Sequence, residues 1–337
     1  MFFGTLVARF GKKKLIMAGF LSLILSCLSY CVAKDIVLLC VGGMLLGLGL
    51  AWTTTTMVGC VINRWCKKNK GKIMGVILSA NGVGASLATV VITYILNSGT
   101  DPFMYRKAYI VTTIILAVMA ALIILFYREA PKDDAETKKE KVREGAKGGN
   151  GYLYVACGCI LVTGLILQGV YGISAAHYGD VGISAGRIAA ILTIQSLLIT
   201  FTKFSTGFMY DKFGMRVTMS VCLTASVFAM LSMLLSGINS MFGYVCSVFS
   251  ALALPLDTVM LPLYADELAP KEKYNKFLGI FVSFKEAGYA LGAIVLNLFY
   301  DVLGTYNHAF IIFAVIMVVV LIVMQYVLSV ARAHKNA

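Results

Sequence analysis

Charge is scarce in this sequence. Asp, Glu, Lys and Arg together supply only 13% of 337 residues, whereas apolar residues supply 59%. A soluble domain carries about 25% charge, so a water-covered globule is excluded. Histidine is rarer still: His177, His308 and His334 lie far apart, and no nucleophile–base or metal-ligand cluster forms around them. Nine cysteines show no paired loop spacing and fall mostly in apolar blocks. They read as small packing residues, not as disulfides or metal ligands. No Walker A pattern is present, which argues against a primary pump. Gly82 and Gly84 follow no strand, so they are not a dinucleotide fingerprint. The start Met1–Arg9 has no signal-peptide pattern. An enzyme is therefore not expected, nor a cofactor or a bound metal.

What the chain has instead is long apolar blocks. Leu15–Ala33, Ile36–Ile62, Ile73–Leu96, Ala108–Tyr127, Tyr152–Ile173, Arg187–Met209, Val217–Leu235, Phe242–Tyr264, Phe277–Phe299 and Ala309–Val330 each approach the roughly 20 residues a spanning helix needs. Backbone groups in lipid must be satisfied within the segment, so helices are expected. Short alternating strands would mark a barrel, and none are seen. The fold class is all-α and polytopic, with ten complete spans.

The net charge of +13 invites a nucleic-acid reading, but its distribution opposes one. With alternating spans, 23 of the 29 basic residues fall on one side. They include Lys12–Lys14, Arg64, the basic residues of 128–147, Lys212, Arg216 and Arg332. The other side holds Lys34, Arg106, Lys107 and Arg187. This is the positive-inside pattern, and it places the linker and C-terminus in the cytoplasm. The expected setting is a multi-pass protein of a bacterial plasma membrane, acting as a monomer with the lipid bilayer as its surroundings and no nucleic-acid partner.

Residues 128–150 interrupt the apolar blocks with a charged, Gly-ended stretch, read as a solvated linker. Across it an internal repeat is visible. Gly4, Arg9 and Gly11 in GTLVARFGKK match Gly207, Lys212 and Gly214 in GFMYDKFGMR at an offset of 203. Gly75, Ser79 and Gly84 match Gly279, Ser283 and Gly288 at an offset of 204. Such repeats are a building plan of secondary transporters. The second half reserves about 56 residues before its copy of the motif, whereas three precede Gly4. The expected organisation is a truncated first bundle over 1–127, a linker over 128–150, a six-span bundle over 151–331 and a tail over 332–337. Two spans of the first six-helix repeat are expected to be largely missing from this chain. Such a fragment, with one cavity wall lacking, is expected not to transport by itself.

GFMYDKFGMR resembles the loop motif of the major facilitator superfamily at Gly207, Asp211, Lys212, Gly214 and Arg216. The first copy fits at Gly4, Arg9 and Gly11, but Ala8 stands where the family has Asp. The resemblance implies a transporter of two six-helix repeats, with these loops as gates. The segment Asn63–Leu87, with its Arg64–Trp65 pair, looks like the span 4–5 connection of the monocarboxylate and oxalate:formate exchanger branch. That branch carries a basic residue eight positions before the loop Asp, where Lys203 stands, and its oxalate-type members a Lys in span 11, where Lys285 stands.

Depth supports a site in the second half. Lys203 is about 12 Å of helix from Asp211, and Lys285 about 13–14 Å from Lys276. Asp257, between Pro255 and Pro262, and Glu286 lie at similar depth. Charges in a bilayer cost roughly 2.5–3.5 kcal/mol each on the gentler scale and normally face a cavity or a partner. Lys203 and Lys285 are therefore candidate contacts for a small anion of carboxylate type. The alternative pairs Lys203 with Asp257 and Lys285 with Glu286, although Glu286 starts about 100° around the helix. Asp257 and Glu286 are also candidate proton carriers. Asn81, Gln168, Tyr171 and Gln195 are softer candidates for the same cavity. His177 is expected in an exposed outer loop beside Asp180. Gly43, Gly47, Gly49, Gly82, Gly84, Gly288 and Gly292 are expected to permit close helix contact.

The function expected is secondary active transport of a small organic anion by alternating access, as symporter or antiporter. Proton-coupled export of a drug or another neutral solute is the alternative, with a non-transporting sensor on the same fold as a third reading.

Overall fold

The computed structural model of the protein describes residues 3–66, 68–97, 103–128, 151–270 and 273–336. The predicted linker lies almost wholly outside the described residues. Among the described residues the α-helices are, in order, α1 Phe3–Phe10, α2 Lys12–Val32, α3 Ile36–Thr53, α4 Thr55–Trp65, α5 Lys70–Asn97, α6 Met104–Phe126, α7 Gly151–Asp180, α8 Ala185–Leu235, α9 Met241–Ala253, α10 Met260–Leu268, α11 Tyr274–Leu303 and α12 Asn307–Asn336. A short 3-10 turn, Leu254–Asp257, joins α9 towards α10. The described residues contain no strand, as expected for backbone that must satisfy itself in lipid.

Among the described residues, seven helices are long and apolar enough to cross a membrane, or eight if the bent pair Met241–Asp257 and Met260–Leu268 is one span. α8 runs 51 residues, which at 1.5 Å per residue is about 77 Å, far beyond a hydrocarbon core of about 30 Å. It is therefore two helices, corresponding to two of the expected spans, that meet at a kink where Gly214 leaves helical angles (φ 78°, ψ 176°). α5 is 28 residues long and covers the expected apolar block Ile73–Leu96.

Gly11, between α1 and α2, has φ 79° and ψ 161°. Gly11 and Gly214, matched in the sequence repeat, thus share a backbone conformation open to glycine and strained for a residue with a Cβ.

The chain falls into two compact units. One comprises residues 2–65 and 83–137. In it α2 packs on α3 and α6. Ser22, Ser26 and Ser29 each donate a hydroxyl to an α3 carbonyl, of Leu45, Gly42 and Leu38, at 2.7–2.8 Å. Small residues bring the backbones close enough for this: a Cβ at Gly49 would meet Leu23 and the Gly19 carbonyl, and one at Gly42 would meet Tyr30. Gly43 and Gly47, which were expected to make this approach, have room for a Cβ. They lie around the helix from the contact.

The other unit comprises residues 66–82 and 138–337, so the start of α5 groups with the second half of the chain. Its core couples α7 with α11, and α8 with α9 and α12. The α7–α11 contact is a backbone seam. A Cβ at Gly164 would strike the Lys285 carbonyl, one at Gly288 the Leu161 carbonyl, and one at Gly292 the Leu165 carbonyl. This seam sets where Lys285 stands relative to α7.

Candidate functional site

The site begins with a broken helix. Pro255 and Pro262 have no N–H to donate, so the carbonyls four residues earlier lose their helical partners. The Ala251 carbonyl is recovered by Thr202, whose hydroxyl donates to it at 2.6 Å. Between the prolines the chain forms the 3-10 turn, Thr258 departs from helical angles (φ −128°, ψ −75°), and the axis bends by 45°. Asp257 sits at this bend and is 1% exposed. Thr163 of α7 lies 3.4 Å from its Oδ1. Oδ2 is buried with no hydrogen-bond partner, as is the Thr258 hydroxyl. The Tyr289 side chain is a polar neighbour of the same carboxyl.

Lys285 enters from α11, held by the glycine seam, and is buried. Its Nζ donates to Glu286 Oε1 at 2.5 Å and lies 4.4 Å from the centre of the Tyr289 ring. The Glu286 side chain is 58% exposed. The expected 100° separation of Lys285 and Glu286 is overcome by their long side chains, which curl together. Lys203, half-buried on α8, makes no hydrogen bond or ion pair among the described residues. Its charged neighbour is Lys285, a like charge. The pairing of Lys203 with Asp257 considered from sequence is not formed.

Tyr171 and Gln195 meet at a second place. They line a cavity of about 20 Å³ between α7, α8 and α9, with Ser174, Ser250 and Met230. That is room for about one water molecule. Gln195 Nε2 donates to Ser250 Oγ at 2.6 Å. Gln168, half-buried on α7, is not part of this lining, and Asn81 is exposed on α5. The six residues named as substrate contacts therefore divide: the lysines lie together, Tyr171 and Gln195 lie together, and Gln168 and Asn81 join neither group.

The loop motif forms a third feature. Asp211 accepts the backbone N–H groups of Gly71 at 3.0 Å and Lys72 at 2.7 Å, capping the first turn of α5. A carboxylate there meets both the free N–H groups and the positive end of the helix dipole. Gly71, Gly75 and Gly207 have no space for a Cβ across this contact. Lys70 adds an ion pair to Asp266 at 2.8 Å. Lys72 Nζ lies 4.8 Å above the Phe208 ring. Lys212 stacks near its neighbour Phe213, and the Arg216 carbonyl accepts from Gln325 at 3.1 Å. Arg9, in the other unit, is exposed and lies 5.5 Å from the Phe10 ring.

His177 corrects an expectation. It lies inside α7, 2% exposed, with Nε2 3.1 Å from both the Met233 carbonyl and Ser236 Oγ. The helix runs to Asp180, about two turns past the end of the apolar block, and so carries His177 into the core.

Three contributors escaped sequence reasoning. Tyr289 lies four residues after Lys285, on the same face, and that spacing was a usable signal. Thr163 and the Lys70–Asp266 pair are brought in by tertiary packing and had none. Among the described residues, no three His, Cys, Asp or Glu gather as a metal site.

The family model for the Major Facilitator Superfamily matches residues 1–175 and 156–337. Multidrug resistance protein 2 of Bacillus subtilis (strain 168) is 24% identical over 255 residues, which are 74% of this chain and 64% of that protein. The chain thus spans under two thirds of that relative's length. The fucose:proton symporter of E. coli superposes with a TM-score of 0.73 at 16% identity, over 96% of this chain and 86% of the symporter. The human organic anion transporter MFSD10 gives 0.71 at 10% identity, over 96% and 79%.

Proposed function

The chain belongs to the Major Facilitator Superfamily, and we propose that it serves as a secondary transporter for a small organic anion. It is an integral multi-pass membrane protein. The superfamily fold carries sugars, drugs and anions alike, so fold does not select the substrate. The charges are the better guide. What supports the reading is the Lys203–Lys285 pair: two like charges as neighbours, whose repulsion Lys203, without an ion pair among the described residues, has nothing to offset. A carboxylate bridging them relieves that repulsion and neutralises charge that is costly in a bilayer.

Alternating access then follows from occupancy. The empty site keeps uncompensated positive charge and resists closure around it; the loaded site does not. Lysine is a point charge without the planar fork of arginine, so the site favours small carboxylates of varied shape over one rigid geometry. Asp211 on the α5 terminus is the gate contact in this reading, holding one conformation until transport breaks it. Ten spans, a cytoplasmic C-terminus and the oxalate:formate exchanger-like branch complete the proposal.

A second reading is favoured by one finding, the similarity to a multidrug resistance protein. In it Asp257 carries the proton that drives export of a neutral or cationic solute. Cells expressing the protein from its own gene separate the two. Anion transport predicts saturable uptake of labelled formate, lactate or oxalate that the other carboxylates inhibit. Export predicts lowered ethidium accumulation and no carboxylate uptake.

A further inference from the structure

We propose that the broken helix at Asp257 and Thr258 binds a dehydrated monovalent alkali cation. The site is rich in acceptor oxygens, with the Tyr289 hydroxyl as a hydrogen-bonding neighbour of the carboxyl. Asp257 is 1% exposed, and its Oδ2 is buried with no hydrogen bond. The next residue contributes a buried hydroxyl oxygen, also unpartnered. Pro262 has no N–H to give the Thr258 carbonyl, so a third oxygen is released from the helix at the same turn. Thr163 has one hydroxyl proton and two acceptors within reach, the Ile160 carbonyl at 3.0 Å and Asp257 Oδ1 at 3.4 Å. Donating to the shorter contact leaves its lone pair beside the carboxylate.

The oxygen count favours a cation over a proton. A proton on Asp257 satisfies one carboxylate oxygen and leaves the Thr258 hydroxyl and carbonyl as they are. A hard cation can use all of these oxygens at once, in the manner of unwound transporter helices. One carboxylate balances one positive charge. A divalent ion would leave excess charge beside Lys285, the cation that faces Asp257 from α11. Glu286, the other acid near this carboxyl, already holds Lys285, and Tyr289 completes the polar surroundings. No other lysine, arginine or histidine pairs with Asp257 among the described residues.

A cation here competes with Lys285 for Asp257. Occupancy keeps the ammonium on the Glu286 side, where an anionic substrate would meet it. That coupling rests on the anion reading; cation binding itself does not.

The test therefore reads the cation alone. The purified protein in detergent is unfolded thermally in NaCl or LiCl against choline chloride, at constant ionic strength and pH. The expected result is a midpoint that rises with Na+ and saturates, because ligand binding to the native state stabilises it. ²²Na+ equilibrium binding gives the affinity directly. Asp257→Asn should abolish both signals. Should that variant not fold, Thr163→Val and Thr258→Val should each weaken Na+ about tenfold or more, the cost of one oxygen contact to a charge. A wild-type midpoint indifferent to Na+ and Li+ overturns the proposal. So does a midpoint that follows pH alone, or a Na+ response that survives in all three variants.

Discussion

The Asp211 carboxylate caps α5 by accepting the Gly71 N–H at 3.0 Å, and a glycine seam shapes the same contact. Asp211 also accepts from Lys72. The loop-motif aspartate thus acts on a helix terminus more than a hundred positions away in sequence. Removing it should cost about 1 kcal/mol, the usual worth of an N-cap. Asp211→Ala is expected to lower the unfolding midpoint, and Asp211→Asn, which keeps one acceptor oxygen, to lower it less. Equal losses in the two would show that the cap is not what stabilises this contact.

Gly207→Ala should be more damaging than its size suggests. Its Cβ would meet the Gly71 carbonyl, which is backbone and has no rotamer to adopt. Overpacking of this kind costs roughly 1–3 kcal/mol. Gly172 is a fair control, being helical with open space around it. Gly172→Ala should be neutral or stabilising by up to about 1 kcal/mol. Detergent melting curves of both variants check the contrast.

Ser26→Ala should destabilise the α2–α3 contact modestly. The lost bond to the Gly42 carbonyl is buried and 2.7 Å long, and such bonds between membrane helices average about 0.6 kcal/mol. The expected outcome is a small drop in midpoint for each of Ser22→Ala, Ser26→Ala and Ser29→Ala, nearly additive in the triple variant. A single variant that loses the whole effect would place it elsewhere.

Tyr289 separates ring from hydroxyl. Tyr289→Phe keeps the ring 4.4 Å from the Lys285 ammonium and should leave substrate affinity close to wild type. Tyr289→Leu removes the ring and frees Lys285 to move, and should raise the half-saturating substrate concentration several-fold. Transport kinetics in both variants decide whether the ring positions the ammonium.

Much of this was legible in particular residues. Gly11 and Gly214 marked the two copies of one loop, and both adopt the positive φ that only glycine takes easily. Pro255 and Pro262 announced a break around Asp257, and the bend is there. Periodicity and hydropathy failed where tertiary packing decides. They could not show that α7 would carry His177 into the core. Nor could they show which of several glycines faces a neighbour: Gly42 and Gly49 do, while Gly43 and Gly47 do not. Helical angle alone kept Glu286 away from Lys285; side-chain length reversed that.

The central claim is that Lys203 and Lys285 together receive an anion, and carboxylate transport by the single and double glutamine variants tests it most directly. Lys203→Gln and Lys285→Gln keep side-chain length and polarity while removing the charge. The account predicts saturable carboxylate uptake in wild type, a rise of about tenfold or more in half-saturation for each single variant, and no saturable uptake in the double. Unchanged kinetics in both single variants would contradict it.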